Sequence, residues 1–176
     1  MSATVCLNDG DTHNSPCEQM ESKYPVLFER HALREDSCGA GRYRGGLGSE
    51  QVIQARSPVT VTVQIDRVHC RPWGLSGGLE GMGNEVALRI GGKTVDPLPS
   101  GKAFNQHLRS GDSFTMRAAG GGGFGSPLLR EPGKVADDVA QGYVSRKAAR
   151  ELYRVVLTDS GEPDLAETER LRAAAG

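Results

Sequence analysis

Several kinds of site are missing from this chain. Cys6, Cys17, Cys38 and Cys70 form no C-x-x-C pair, and there is no H-E-x-x-H and no nucleophile elbow, which removes the compact zinc and hydrolase signatures. No apolar run approaches the length of a bilayer span, so no membrane role is expected. With 21 Lys and Arg against 22 Asp and Glu, the net charge is −1; binding nucleic acid as the main task would call for a strong basic excess. The opening MSATVCLNDGD has neither a basic leader nor a hydrophobic region, so no secretion signal is read and a cytoplasmic protein with reduced thiols is expected. Aromatic residues are scarce, at 5%.

What the chain has in excess is glycine. There are 24 in 176 residues, about twice the usual share of roughly 7%, and they fall in loops between apolar stretches. The clearest stretch is Val59 to Ile65, where Val59, Val61, Val63 and Ile65 alternate with Thr60, Thr62 and Gln64. Period two with β-branched residues predicts a strand with one buried side. Shorter alternations predict strands over 51–55, 85–90 and 113–117, a blurred one predicts another over 25–34, and 93–96 reads as the return arm of a hairpin after Gly91-Gly92. GAGRYRGGLG (39–48), RPWGLSGGLEGMG (71–83) and DPLPSGK (96–102) read as loops.

After Gly125 the period becomes helical. Val135 and Val139 lie one turn apart ahead of Gly142, a natural stop; Ser145 is placed to cap RKAARELYRVVL, with Ala149, Leu152 and Val156 on one stripe; Asp164 with Glu167 marks a last helix. The fold class expected is α+β: Gly-rich antiparallel strands over about 25–118, then helices over about 133–174. The corresponding division is a β-rich domain over 1–126 and a helical tail over 127–176, packing on that domain or on partner subunits.

Three stretches are candidate sites. In GAGRYRGGLG, Arg42 and Arg44 flank Tyr43 and would project from one side of an extended segment, where two guanidinium groups over bare backbone would suit a carboxylate or phosphate. The glycines are followed by SEQVIQA, a strand, whereas a phosphate loop must open a helix. A tight corner with surface arginines is therefore the favoured reading. In AAGGGGFGSP (118–127), Gly120, Gly122 and Gly125 satisfy G-x-G-x-x-G, but Pro127 spoils a helix start. The run containing Gly121, Gly122 and Gly123 implies close backbone approach to a ligand or to a neighbouring chain. In DRVHCRPWGLSGG (66–78), Asp66, Arg67, His69 and Arg71 cluster at a strand's exit, a common place for chemistry, with His69 the candidate general base. An Asp–Arg structural pair under a Trp73 lid is the favoured alternative. His13, Cys17, His69 and Cys70 would bind zinc only if the fold gathered them.

Together these segments resemble the hydantoinase B/5-oxoprolinase family. Asn14, Pro16, Glu18, Tyr24, Pro25, Leu33, Arg34, Asp36, Ser37, Gly39, Ala40, Gly41, Arg44, Gly45, Gly46 and Gly48 fall on that family's N-T-P…L-R-x-D-S-G-G-A-G-x-x-R-G-G-x-G pattern. DRVHCRPWGLSGGLEG matches its D-R-x-x-x-x-P-x-G-x-x-G-G-x-x-G, and GGGGFGSP its G-G-G-G-Y-G-D-P. Cys38 stands at a usual Gly position, and Ser126 at a usual Asp position, so no acidic role carries over there. The resemblance implies the C-terminal part of a B-type subunit, acting with larger A-type and B-type subunits on a cyclic amide, hydantoin or oxoproline-like substrate. The alternatives are a ketone carboxylase subunit or a purely structural assembly subunit. It implies that ATP and a divalent metal sit on partner subunits, that this chain binds no cofactor and is inactive alone, and that Arg44 and the 120–125 loop face the rest of the enzyme.

Overall fold

Two antiparallel sheets are interleaved along the chain with the glycine loops that form a layer, and a short helical tail follows them. A computed structural model describes residues 15–174; His13 and Cys6 lie outside these. The first sheet takes β1 (Val26–Leu33), β2 (Ser49–Ala55), β7 (Ser113–Arg117), β4 (Glu85–Ile90) and β5 (Lys93–Val95), in the spatial order β1-β2-β7-β4-β5. Its register aligns Phe28, Ile53, Phe114, Leu88 and Val95 in one cross-strand row. Apolar neighbours on one face are the stabilising unit of a sheet, and this row supplies them. The second sheet pairs β3 (Val59–Gln64) with β6 (Lys102–Leu108). An open cleft of about 390 Å³, lined by Phe28, Ile53, Phe114 and Val61 among others, separates it from the first.

Two elements are absent from the sequence reading. The segment 102–108 is a strand, where the loop 96–102 was expected to lead on without one. Its pairing with β3 slips between Val61 and Val63, and Asn105 sits at φ 49°, so an extra residue breaks the alternation that would have revealed the strand. A register shift between Phe28 and Arg30 blurs β1 in the same way. The other difference is α1 (Cys17–Lys23), a helix the sequence reading did not contain; it has no side-chain cap to announce it.

The tail holds a 3-10 turn at Pro127–Leu129, then α2 (Pro132–Ala140), α3 (Arg146–Glu151) and α4 (Leu165–Ala173). Ser145 and Asp164 cap α3 and α4 as their sequence context predicts, accepting from the backbone N–H of Ala148 and Glu167. α3 is shorter than its period implied. Arg154 adopts φ 54°, the chain leaves the helix, and Tyr153 and Val155 turn inward while Leu152 stays exposed. Tyr153, Val155, Val135, Val144, Ala148 and Ala149 form one core cluster with Cys38, Ala40 and Leu47.

Between sheet and tail, three glycine segments pack backbone against backbone. Gly39 N–H donates to Gly121 O (2.8 Å), Gly121 N–H to Gly46 O (2.8 Å), Leu79 N–H to Ala40 O (2.7 Å), Gly123 N–H to Leu79 O (2.9 Å) and Leu75 N–H to Gly123 O (2.9 Å). Segments 39–48, 73–81 and 120–125 thus satisfy one another's polar groups without a regular ladder. A Cβ at Gly45 would strike Gly121 O, at Gly122 Trp73 O, and at Gly123 Ala40 O. Glycine is required there for close approach, and φ is not in the left-handed region at any of these three positions.

Candidate functional site

The side chains bordering the glycine layer divide into an inner set that locks it and an outer set that projects from it. The inner set begins with the Arg34, Asp36 and Ser37 run. Arg34 donates to Gly83 O (2.9 Å) and pairs with Glu85 (2.7 Å). Asp36 accepts from Ser145 N–H (2.8 Å), and the fully buried Ser37 hydroxyl donates to Arg34 O (2.6 Å) and accepts from Gly48 N–H (2.9 Å). These motif residues fasten the layer to β4 on one side and α3 on the other.

Arg44 belongs to this inner set, whereas the favoured reading had it as a surface arginine of a corner, facing the rest of the enzyme. Its Nε pairs with Asp138 Oδ1 (2.8 Å), and Arg130 Nη2 takes the other oxygen, Oδ2 (2.7 Å). Asp138 is buried on α2, and the Arg44 guanidinium also lies over the Tyr143 ring, 5.1 Å from its centroid. Burial opposes the charge on Arg44, but the bond to Asp138 more than offsets it and raises its pKa. A buried carboxylate held by two arginines ties the helical tail to the glycine layer.

Cys38 and Tyr153 lie in the same buried neighbourhood. Burial pushes the Cys38 thiol up, and Arg44 offsets that only in part; burial likewise pushes the Tyr153 hydroxyl up. A buried thiol held protonated is a poor nucleophile. Among the described residues, Arg130 Nε and the Tyr153 hydroxyl are buried without a hydrogen-bond partner.

The outer set is apolar. Tyr43 and Phe124 exchange backbone hydrogen bonds (3.0 and 2.9 Å), and Leu75 bridges Phe124 from the other side. Directly paired residues share a face, so Tyr43, Phe124 and Leu75 stand in a row. Trp73, two residues before Leu75 and beside Gly122, extends it. These four are 59%, 51%, 58% and 70% exposed. Arg42 lies over the Tyr43 ring (5.7 Å) at one end and Arg67 over the Trp73 ring (5.9 Å) at the other.

The remaining sequence candidates lie apart. Asp66 pairs with Lys102 (3.3 Å) and not with an arginine, and Trp73 is too exposed to be a lid over it. Arg67 adopts φ 57°, and His69 is exposed. Arg71 reaches Glu80 across the surface (3.3 Å). Gly121, Gly122 and Gly123 are inside the layer, taken up by backbone contacts. Cys17 Sγ lies 3.2 Å from His31 Nδ1, and among the described residues no three His, Cys, Asp or Glu side chains gather in a way that would hold a metal ion.

Sequence reasoning missed Asp138, Arg130 and the exposed row. The row does carry a signal: Trp73, Leu75 and Phe124 each adjoin glycine, and a large apolar side chain beside residues that have none cannot be covered by its chain neighbours.

Residues 1–127 match the model of a family described as hydantoinase B/oxoprolinase. The chain is 35% identical over 163 residues to the B subunit of a putative D-/L-hydantoinase from Pseudomonas sp. strain NS671, covering 92% of this chain and 27% of that protein. It is 34% identical to the beta subunit of the caprolactamase from Pseudomonas jessenii, over 89% of this chain and 28% of the relative. Among solved structures, nucleotide-free acetone carboxylase aligns with a TM-score of 0.78 at 26% identity, over 92% of this chain and 26% of that one. The ATP-dependent caprolactamase of Pseudomonas jessenii aligns at 0.75 and 28%, over 90% and 28% of the two chains. The chain thus spans about a quarter of the length of these relatives. No helix among the described residues is long and apolar enough to cross a membrane. The family model covers more than half of the chain, and the glycine segments that build the layer fall within that match: the chain belongs to the hydantoinase B/oxoprolinase family.

Proposed function

We propose that this chain is the C-terminal part of a B-type component that works with an ATP-dependent A-type component to hydrolyse a cyclic amide of the hydantoin, lactam or oxoproline kind. One observation carries the reading: the chain matches B-type relatives over nine-tenths of its own length but only about a quarter of theirs. ATP and a divalent metal belong to the partner components. This chain supplies a rigid layer and a surface, and no catalytic centre of its own, because its half-buried Arg44 and Arg130 are consumed by the buried Asp138. The cytoplasm is its proposed location.

A ketone carboxylase component is the second reading, favoured by the alignment with acetone carboxylase and by 27% identity to the acetophenone carboxylase delta subunit of Aromatoleum aromaticum. The higher identities to the hydantoinase and caprolactamase relatives favour cyclic amides.

The test is to purify the native complex through a tag on this chain and supply MgATP with hydantoin, 5-oxoproline or caprolactam, or with acetone and bicarbonate. ATP-dependent ring opening by the complex, and none by the isolated chain, is expected. Turnover confined to acetone would transfer the protein to the second reading. Turnover by the isolated chain would end both.

A further inference from the structure

The row Tyr43, Phe124, Leu75, Trp73 has no place in the core already described. All four side chains are more than half exposed, though aromatics make up only 5% of the chain. Contiguous exposed apolar surface of this kind marks a contact with another macromolecule, and aromatics with arginine are the residues enriched there. The backbone beneath is the glycine layer, whose segments hydrogen-bond one another and leave no room for a Cβ. The row therefore stands on a rigid base and needs little ordering before it binds.

We infer that this row is the docking surface for the part of a B-type protein that this chain does not contain, and that the docking segment brings apolar side chains flanked by carboxylates. The inference rests on the function proposed above. The occupant follows from two observations. The B-type relatives extend over roughly three-quarters of their length beyond the matched region, so the natural neighbour of this fold is the remainder of such a protein. The charge requirement comes from the ends of the row: Arg42 and Arg67 lie over Tyr43 and Trp73 and have no carboxylate partner among the described residues. By contrast Arg44, one residue beyond Tyr43, has its carboxylate inside the molecule. Unpaired arginines at a rim select a partner of opposite charge and speed its encounter.

A photo-crosslinking residue placed at Phe124 or at Trp73 tests this in the complex purified from native cells. Phe104 serves as control, being 57% exposed on β6, which belongs to the second sheet and not to the glycine layer. Crosslinked peptides from positions 124 and 73, mapped by mass spectrometry to B-type sequence outside this chain, are the expected result, with none from position 104. The double variant Trp73→Ala/Phe124→Ala should retain less of that partner by a factor of about 30 or more, with an unchanged melting curve because both side chains are exposed. Crosslinks only to a second copy of this chain, only to an A-type component, or only from position 104 would overturn the inference while leaving the proposed function standing. A complex that contains no further B-type sequence would overturn both.

Discussion

At the β4–β5 turn, Gly91 and Gly92 adopt φ of 57° and 76° and have nothing within 4 Å of where a Cβ would stand. In the layer, Gly45, Gly120, Gly122 and Gly123 show no positive φ, yet a Cβ at any of them would strike a backbone oxygen. The turn needs glycine for a backbone angle that L side chains resist; the layer needs it for the absence of a side chain. Composition counts the two alike, but their tolerance of change should differ sharply. A turn can be rebuilt with Asn, which accepts the left-handed region, whereas nothing larger than hydrogen fits between two peptide planes.

The largest expected effect breaks that contrast if it fails to appear. Gly122→Ala should cost on the order of 4 kcal/mol or abolish folding, because the obstructing Trp73 carbonyl is backbone and cannot swing aside. Gly133→Ala, at the open start of α2, should change stability by no more than about 1 kcal/mol. Urea denaturation of the two variants side by side decides the matter, and similar losses would show that the layer is looser than its hydrogen bonds imply.

Next in size is the lock between layer and tail. Asp138→Ala leaves Arg44 and Arg130 half-buried, unpaired and mutually repelling, so a loss of about 3 kcal/mol is expected. Limited proteolysis should then cut first in the tail beyond Pro127 if the carboxylate is what holds the tail down. An unchanged digestion pattern would assign that work to Tyr153 and Val155 instead.

The smallest effect is a pH response. Burial raises the Cys38 thiol above its ordinary value of 9.0. Well below that value both the folded and unfolded chains keep the proton and the stabilisation is complete. As pH rises, the unfolded chain releases its proton first, and stability falls until the folded pKa is passed. The melting temperature should therefore drop as the pH is raised past about 8, and Cys38→Ala should make that drop smaller. An identical profile in the variant would place the alkaline sensitivity elsewhere, the buried Tyr153 hydroxyl being the next candidate.

The sheet was largely legible because alternation survives wherever the pairing is regular. The strand β7 matches its expected span, 113–117, and β3 ends one residue before Ile65. Legibility failed where an extra residue intrudes, as at Asn105 in β6, and where a helical period outlasts the helix, as beyond Glu151. The glycine clusters were visible as clusters, and 39–48 does join β1 to β2, but Arg44 is not the surface arginine that the corner reading held. Their mutual packing was not visible, because contacts without side chains leave no periodic pattern. The role of Arg44 was hidden for another reason: its partner lies 94 residues away, and only the assembled fold brings the two together.

The layer also dictates when this domain becomes a domain. Its hydrogen bonds join Ala40 to Leu79, Leu79 to Gly123 and Gly39 to Gly121, so each of its three segments completes its bonding only with the other two. While the chain emerges from a ribosome, the first two segments lack their partners in the third until residue 125 is free of the exit tunnel. Contacts so distant in sequence slow folding, and the nascent chain will be most open to proteases and chaperones in that interval.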